Sequence, residues 1–341
     1  MRKSWLSLAL IALVIAFAVV GAAIRGDQAS AKTQALGACL VTDTGGLNDR
    51  SFNALAYKGL KKAQSQGITG RVITSKSASD YIPNLQACVR QGATVTIGIG
   101  FLMADAVDAI ATRFPTSKFA VVDVDVTGLK HKPKNVQGLL FKEQEAGYLV
   151  GYAAGLWAKL HPVGGQQRVG SIGGVKIPPV DHYIAGYQFG AKKANPQIKA
   201  LNDYSQDFNA QAKCKEKALN EIANGAGVIF QVAGGCGLGA LDAAKEKKVV
   251  GIGVDADQAY LGTHILTSAL KRVDVAVHGA IEASAKKKLK VGVNAIYGAK
   301  ENGVGYGKWS PKVPASIRKA VAAQLVLLKA GKIPGIPNTV K

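Results

Sequence analysis

The fold of this chain is decided by the stretch Val41-Thr42-Asp43-Thr44-Gly45-Gly46 and by a similar second stretch, Gly170-Ser171-Ile172-Gly173-Gly174. Each stretch begins as a short apolar strand and runs into a Gly-Gly turn. A polar loop and a long helical pattern follow in both cases. The repeat predicts two similar halves, each opening with a strand–turn–helix unit.

The rest of the chain alternates short β-branched runs with patterns of helical period. The predicted strands are 36–43, 71–74, 95–100, 119–126, 136–141, 168–172, 198–202, 228–232, 249–255 and 265–270. The predicted helices are 51–66, 82–91, 103–114, 142–160, 180–194, 211–223, 237–247, 273–288 and 313–330. This alternation is typical of parallel sheets covered by helices on both faces, which makes the fold class α/β.

The number of strands separates two architectures. Ten strands are too many for one ordinary open sheet, but they fit two five-stranded, doubly wound lobes. An eight-fold β/α barrel also alternates strands with helices and would fit the length. The two matched Gly-Gly openings favour two lobes, as does a length of 341 residues at roughly 150 per domain.

Composition excludes several classes of protein. A hydrophobic content of 48% is enough for full-sized cores and excludes a disordered chain. The 40 glycines follow no Gly-X-Y period, so a collagen is excluded and tight strand-to-helix turns are their expected use. No pair of cysteines has the C-x-x-C spacing of a zinc site, and no metal or cofactor is predicted.

The N-terminus has the pattern of an export signal. Arg2 and Lys3 precede an apolar stretch of 20 residues from Trp5 to Ile24, and Ala29-Ser30-Ala31 offers a cleavage site. Because about 20 residues also suffice to span a bilayer, residues 1–31 are predicted to be a signal peptide or an uncleaved membrane anchor. The rest of the chain is then expected in the periplasm or at the extracytoplasmic face of the membrane.

The chain is strongly basic, with 43 Lys and Arg against 22 Asp and Glu and a net charge of +21. The lysines form scattered clusters at 192–193, 213–217, 245–248 and 286–290. Nucleic-acid binding is not favoured, because no basic stripe is interleaved with aromatic residues. The charge predicts a solvated basic face that an anionic envelope or membrane surface would attract.

The densest candidate site runs from Asp43 to Asn53, where a strand ends in a Gly turn and Ser51 is placed to cap the next helix. Ligands of doubly wound folds bind at the carboxyl ends of the strands, which is where this loop lies. Gly-Gly and Asn-Asp are also common in ordinary turns, so these residue types alone leave a binding role and a plain loop open.

Motifs in register along the chain resemble a known family. Residues 43–53 read D-x-G-G-x-x-D-x-S-F-N and residues 98–106 read G-x-G-F-x-M-x-D-A. Similar segments follow at 119–123, 173–180, 186–192, 232–239, 253–258 and 267–274. Together these segments, between residues 36 and 302, resemble the basic-membrane-protein family of ABC-transporter substrate-binding lipoproteins, which includes purine nucleoside receptors.

The resemblance implies a type I periplasmic-binding-protein fold and an extracytoplasmic receptor of an ABC importer. The receptor would be a monomer that holds a purine nucleoside between its lobes, delivers it to permease subunits and catalyses no reaction. The lobes are predicted at 35–141 plus 272–302 and at 142–271 plus 303–341. Hinge crossovers are expected near residues 141–142, 271–272 and 302, and the lobe that carries the last helix is left open.

The resemblance also assigns ligand contacts. The candidate ligand-binding residues are Asn48, Asp49, Phe52, Phe101, Asp105, Tyr183, Gly234, Gly235, Asp255 and Lys271. The rings at 52 and 183 are expected to stack on the base, with a Tyr where the family has a Phe. The polar residues at 48, 49 and 105 would meet the base edge, while Asp255 would accept from the ribose hydroxyls and Lys271 would donate to the sugar. Asp105 has a structural alternative at the start of a helix, where the dipole favours a negative charge.

The cysteines depart from the family pattern. No Cys directly follows the apolar run, because Cys39 lies inside the first strand, so the usual lipid anchor is not supported. Cys39 and Cys88 are expected at the same end of one lobe, and Cys214 and Cys236 at one end of the other. Since export permits disulfides, the pairs Cys39–Cys88 and Cys214–Cys236 are predicted.

Other functions stay open beside the nucleoside receptor. The same fold could bind another small polar ligand such as a sugar, or the chain could be a basic adhesion protein of the envelope surface. An enzyme is not favoured, because the sequence contains no H-E-x-x-H, G-x-S-x-G or Walker A motif.

Overall fold

Two parallel sheets organise residues 36–340, which are the residues that the computed structural model describes. The predicted signal or anchor at 1–31 lies outside them. The strands are β1 Ala38–Thr42, β2 Gly70–Ile73, β3 Thr96–Ile99, β4 Phe119–Val122, β5 Val136–Phe141, β6 Arg168–Gly173, β7 Lys199–Ala200, β8 Asp203–Tyr204, β9 Ala226–Val232, β10 Val250–Asp255, β11 Ile265–Lys271, β12 Val293–Tyr297 and β13 Val304–Tyr306. The helices are α1 Phe52–Ser65, α2 Tyr81–Arg90, α3 Ala104–Arg113, α4 Glu143–Leu160, α5 Pro178–Ala194, α6 Gln211–Ala223, α7 Gly237–Glu246, α8 Val273–Ala285 and α9 Ala315–Lys329.

The first sheet has the order β12-β5-β4-β3-β1-β2 and all of its strands are parallel. Successive side chains of a strand point to opposite faces, and both faces are buried here. Cys39 and Val41 of β1 share a core with α2 and α3, while Leu40 faces α1 and α8. We call this sheet with helices α1, α2, α3 and α8 the N-terminal lobe.

The second sheet has the order β13-β11-β10-β9-β6-β7, and β8 also pairs with β6. Its strands are parallel except for β13, which runs antiparallel to β11. Helices α6 and α7 cover one face. Helix α9 packs on α4, where the Tyr148 hydroxyl donates to Gln324 Oε1 at 2.6 Å, so the last helix belongs with this sheet. We call this sheet with α4, α5, α6, α7 and α9 the C-terminal lobe.

Helices α4 and α5 pack backbone against backbone. A Cβ atom at Gly151 of α4 would collide with the backbone of Tyr187 on α5, so only glycine permits this approach. The contact holds α5 in place, with its first turn at the junction between the lobes.

The chain passes between the sheets in three adjacent segments: after β5, after β11, and from β12 to β13. Backbone hydrogen bonds tie the segments together, from Lys142 N to Tyr297 O at 3.2 Å and from Arg272 N to Gly303 O at 2.8 Å. Hinge motion at these segments remains a prediction.

The expectation of two doubly wound lobes is confirmed, but that of five strands in each is wrong, since the described sheets have six and seven strands. The additional strands are β8, β12 and β13. They were missed because β8 and β13 are very short and β12 lies at a sheet edge, where Val293 is 45% exposed and Ile296 is 54% exposed. An edge strand lacks the continuous apolar run of a buried one.

Two disulfides join the cysteine pairs named above. Cys39 of β1 bonds to Cys88 of α2, and Cys214 of α6 bonds to Cys236 just before α7, each with a Cα–Cα distance of 5.6 Å. The first disulfide therefore ties α2 to β1, and the second ties α6 to the start of α7, each within one lobe.

Neither a membrane span nor a metal cluster is found between residues 36 and 340. None of the helices there combines the length and the apolar character that crossing a bilayer requires. No group of three His, Cys, Asp or Glu side chains in this range is placed to hold a metal ion.

A buried carboxyl group makes the stability of the C-terminal lobe depend on pH. Glu221 of α6 packs over Gly170 of β6, and neither of its carboxyl oxygens has a hydrogen bond of normal geometry within the described residues. Burial, aided by Asp203, raises the Glu221 pKa from 4.5 to about 9. Between these values the folded protein keeps a proton that the unfolded chain releases, so stability falls as pH rises through this window.

Glu221→Gln is expected to flatten that pH dependence, because the amide has no proton to lose. The free energy of unfolding in urea, measured at pH 5 and pH 8.5, should fall less in the variant than in the wild type. Glu216→Gln, on the exposed side of the same helix, is the control and should retain the wild-type slope. Equal slopes for Glu221→Gln and wild type would contradict a raised pKa.

Candidate functional site

A cavity of about 590 Å³, counted to its mouth, lies between the carboxyl edges of the two sheets. Its lining residues come from both lobes: Asp43, Gly45, Asp49, Phe52, Asn53, Gly100, Phe101, Asp123, Ile177, Pro179, Val180, Tyr183, Phe208, Val232, Gly234, Val254, Asp255 and Lys271. The mixture of apolar walls with a few polar groups is typical of small-molecule sites.

One polar group of the cavity comes from the loop that follows β1. Asn53 Nδ2 donates to Asp43 Oδ1 at 2.8 Å, and Gly45 N donates to the same oxygen at 2.9 Å. Burial raises the Asp43 pKa to about 6, although both hydrogen bonds oppose the rise. Asn53 Oδ1 is buried without a partner in the described chain. The pair therefore has acceptor capacity left for a ligand.

The polar residues predicted for the base edge are placed differently. The Asp49 carboxylate lines the cavity but caps α1, accepting from the backbone N–H groups of Ser51 at 2.9 Å, Asn53 at 2.7 Å and Ala54 at 3.1 Å. Asn48 is exposed and is not part of the lining. Asp105 is also exposed and lies in the first turn of α3, where the helix dipole favours it. Asp43 and Asn53, from the two ends of the same segment, line the cavity.

Aromatic side chains reach the cavity from both lobes. Phe52 and Phe101 come from the N-terminal lobe, and Tyr183 and Phe208 from the C-terminal lobe. The Tyr183 hydroxyl donates to Asp255 Oδ1 at 3.0 Å, so the partner that its hydroxyl needs is a cavity carboxylate. Phe208, from the loop between β8 and α6, was missed by the sequence analysis.

Lys271 is the centre of a buried ion cluster. Its Nζ donates to Asp123 Oδ2 at 2.7 Å and to Glu143 Oε1 at 2.8 Å, and the residue is 1% exposed. The ammonium also lies 5.1 Å from the ring centroid of Phe52. Burial alone would lower the Lys271 pKa, but the carboxylates of Asp123, Glu143 and Asp255 raise it, so the ammonium is charged.

Asp123 keeps binding capacity toward the cavity. Burial raises its pKa to about 7 against the opposing effect of Lys271, and its Oδ1 has no partner among the described residues. Asp123, directly after β4, and Asp255, the last residue of β10, have positive φ angles of 67° and 58°. This conformation costs free energy and is common at functional sites. Asp123 thus both binds Lys271 and lines the cavity.

Asp255 links the lobes across the cavity. Ser51 Oγ, from the N-terminal lobe, donates to Asp255 Oδ2 at 2.9 Å. Asn209 Nδ2 donates to Thr44 O at 2.9 Å, also from one lobe to the other. Burial raises the Asp255 pKa while Lys271 opposes the rise. The same carboxylate thus faces the ligand space and holds the lobes together.

The two glycines predicted to contact the ligand lie in different places. Gly234, with φ of 53°, lines the cavity. Gly235 does not; a Cβ there would lie 3.3 Å from Phe208 O and 3.7 Å from Asp49 Cα, so it sits where the two lobes meet.

The family model of ABC transporter substrate-binding proteins of the PnrA-like type, Bmp, matches residues 38–335. The chain belongs to the Bmp family. Bmp proteins are substrate-binding proteins of ABC transporters and act outside the cytoplasm. The resemblance drawn from the motifs is therefore confirmed.

Bmp relatives match almost the whole chain. The ABC transporter nucleoside-binding protein BmpA of Lactococcus lactis is 32% identical over 359 residues, covering 98% of this chain and 99% of the relative. The CD4+ T-cell-stimulating antigen of Listeria innocua is 32% identical and covers 93% and 94%. Among solved structures, an ABC transporter solute-binding protein from Aeropyrum pernix aligns with a TM-score of 0.78 and 25% identity, covering 88% and 93%. The type I periplasmic-binding fold is thereby confirmed.

Asp43 and Asn53 were not predicted as ligand contacts, although they begin and end the 43–53 motif and this position was a usable signal. Phe208 lies in a segment that none of the motifs covers. Only the tertiary structure places that loop beside Gly174 and Gly234.

Proposed function

We propose that this Bmp protein captures a purine nucleoside in the cavity between its lobes and delivers it to the membrane permease of an ABC importer. The observation that carries the proposal is the combination of aromatic side chains from both lobes with two separate polar groups in one cavity. A relative of similar length, BmpA of Lactococcus lactis, is an ABC transporter nucleoside-binding protein.

The cavity chemistry matches the two parts of a nucleoside. The flat faces of a purine can stack on Phe52 and Phe208, and its polar edge can form hydrogen bonds with Asp43 and Asn53. Ribose hydroxyls can donate to buried carboxyl groups, which Asp123 and Asp255 supply. Lys271 remains charged between these carboxylates and can donate to a sugar oxygen.

The charges of the lining favour a nucleoside over a nucleotide. Asp43, Asp49, Asp123 and Asp255 line the cavity with Lys271 as the lining cation, and Lys271 already binds two carboxylates. A phosphate group would meet uncompensated negative charge here. We therefore expect the neutral nucleoside to bind and its 5′-phosphate to be rejected.

Lobe closure would couple binding to transport. Ser51 binds the carboxylate of Asp255, which also faces the ligand space, so occupancy and lobe contact depend on the same group. Rigid lobes moving about a few crossing segments are a common form of such closure. The closed pair of lobe surfaces is what a permease would recognise.

Calorimetric titration of residues 32–341, refolded to remove carried-over ligand, tests the function. Guanosine and inosine are expected to bind tightly, adenosine measurably, cytidine and ribose weakly, and inosine 5′-monophosphate not at all. Tight binding of ribose or another sugar alone would replace the nucleoside with a sugar. Absence of heat from every ligand with a well-folded protein would refute both.

Asp43→Asn is expected to weaken inosine binding by about tenfold or more, because hydrogen bonds to a charged acceptor are worth about 1.5–3 kcal/mol. Asp105→Asn, which changes an exposed carboxylate of the same lobe, is the matched control and should bind as the wild type. Titration of both variants at pH 7.5 measures this. The reverse order of effects would restore Asp105 as the base contact.

A further inference from the structure

The amino edge of the N-terminal-lobe sheet is unusually basic. The segments that lead into β2, β3, β4, β5 and β12 at this edge are residues 66–69, 91–95, 114–118, 126–135 and 286–292, of which 126–135 is the part of the β4–β5 connection that follows Asp123 and Asp125. They contain no Asp or Glu, and their lysines are Lys118, Lys130, Lys132, Lys134, Lys286, Lys287, Lys288 and Lys290. We call these eight lysines the basic edge.

The charges of the basic edge are available to a partner. Seven of the lysines are exposed and Lys118 is half-buried. Within the described residues, Lys286 is the member that lies near a carboxylate, 3.4 Å from Glu282. The nearby Asp108 is occupied by His131 Nδ1 at 2.7 Å. Lys118, Lys132 and Lys134 also line an open groove together with Thr112, Thr116 and Asn135, so ammonium and hydroxyl donors surround a concave surface.

The positive charge is concentrated at the amino edge of the N-terminal-lobe sheet. At the amino edge of the other sheet, the connections 161–167, 195–198, 224–225, 247–249 and 262–264 contain two lysines, Lys247 and Lys248. The carboxyl edge of the N-terminal lobe carries Asp43, Asp49 and Asp123 at the cavity. The lobe is thus positive at the end away from the cavity and negative at the cavity.

The described chain begins at the same edge. Leu36 O accepts from Thr94 N at 2.8 Å, just before β3. In the sequence, the apolar stretch Trp5–Ile24 precedes Leu36 by eleven residues. The described chain, which follows the predicted export signal in the sequence, therefore begins at the basic edge.

We propose that the basic edge docks on an anionic phospholipid surface, with its lysines at the headgroup phosphates and the cavity directed away. Juxtamembrane lysine clusters bind acidic bilayers through such contacts. A single-stranded nucleic acid fits less well, because its bases need several aromatic side chains on which to stack. These segments contain one Phe, Tyr or Trp residue, Phe114. The proposal does not depend on which solute fills the cavity.

The test is co-sedimentation of residues 32–341, whose described part is one compact unit, with large vesicles in 50 mM salt. Vesicles of 30% phosphatidylglycerol in phosphatidylcholine are compared with vesicles of pure phosphatidylcholine. The patch variant replaces Lys130, Lys134, Lys288 and Lys290 by Gln. The matched control replaces Lys192, Lys199, Lys245 and Lys319, all exposed lysines of the C-terminal lobe, so both variants lose four charges.

The expected result is binding to the anionic vesicles, loss of binding at 500 mM salt, and a partition coefficient lowered about tenfold or more in the patch variant but less than threefold in the control. Equal losses in both variants would show that net charge, and not the basic edge, binds the bilayer, and would overturn the proposal. So would failure of the wild type to bind. Thermal unfolding of both variants confirms that they are folded, so a null result cannot come from misfolding.

Discussion

Asp255→Ala is expected to weaken binding of guanosine or inosine by about 100-fold or more. The substitution removes a buried carboxylate placed to accept from the sugar, and truncating one partner of a buried charged pair costs about 2–5 kcal/mol or more. It also leaves the Tyr183 hydroxyl, 3.0 Å from Asp255 Oδ1, without its acceptor, while Ser51 Oγ retains the backbone oxygen of Val254 at 3.0 Å. Calorimetric titration at pH 7.5 measures the loss.

Asp257→Ala is the matched control for this variant. Asp257 is two residues along the chain and outside the cavity lining, where it accepts from the backbone N–H groups of Ala259 and Lys308. It should retain wild-type affinity. If both variants bind the nucleoside as the wild type does, the sugar is held elsewhere. Tyr183→Phe keeps the Asp255 carboxylate but removes the hydrogen bond that positions it. The affinity for the nucleoside is expected to fall about fivefold, because one neutral hydrogen bond is worth about 1 kcal/mol.

Lys271→Met is expected to lower the free energy of unfolding at pH 7.5 by about 3–5 kcal/mol. The two side chains have similar volume, but the substitution leaves the carboxylates of Asp123 and Glu143 buried without their cation, and a stranded buried charge costs this much. Urea unfolding followed by circular dichroism measures the change. An effect below about 1 kcal/mol would show that the cluster does not stabilise the fold.

A lower pH and a second substitution should each reduce the loss of stability that Lys271→Met causes. With the ammonium removed, protonation neutralises the stranded carboxyl groups, so the deficit relative to wild type should shrink between pH 7.5 and pH 5. The double variant Lys271→Met/Glu143→Gln removes one of the two charges and should be more stable than Lys271→Met at pH 7.5. A deficit that is independent of pH would point to packing as its cause.

The sequence predicted much of the site because strand ends can be located from apolar runs. Asp255 closes the run of β10 and Phe52 begins the helix after β1, and both line the cavity. Asp105 shows the limit of this reasoning. It comes shortly after β3 and after Phe101, which lines the cavity, yet the intervening 3-10 turn Phe101–Met103 leads it to the exposed side of α3.

The cysteine pairs were predictable for a related reason. The direction of a helix relative to its strands determines which of its ends lies near a given strand end, and this can be inferred from the alternation alone. The observed pairs, Cys39–Cys88 and Cys214–Cys236, each join elements of one lobe. No knowledge of how the lobes meet was required.

By itself, the sequence determined the α/β class, the two lobes, the family and the residues at most strand ends, because these follow from local periodicity and motifs. Only the tertiary structure decided which side chains share the cavity. Phe208 enters from a loop without a motif, and Asp49 faces inward yet uses its carboxylate to cap α1. The tertiary structure also decided that Lys271 binds Asp123, 148 positions before it in the chain. Contacts between residues so far apart depend on how two separate sheets are packed, and no local pattern of residues encodes that packing.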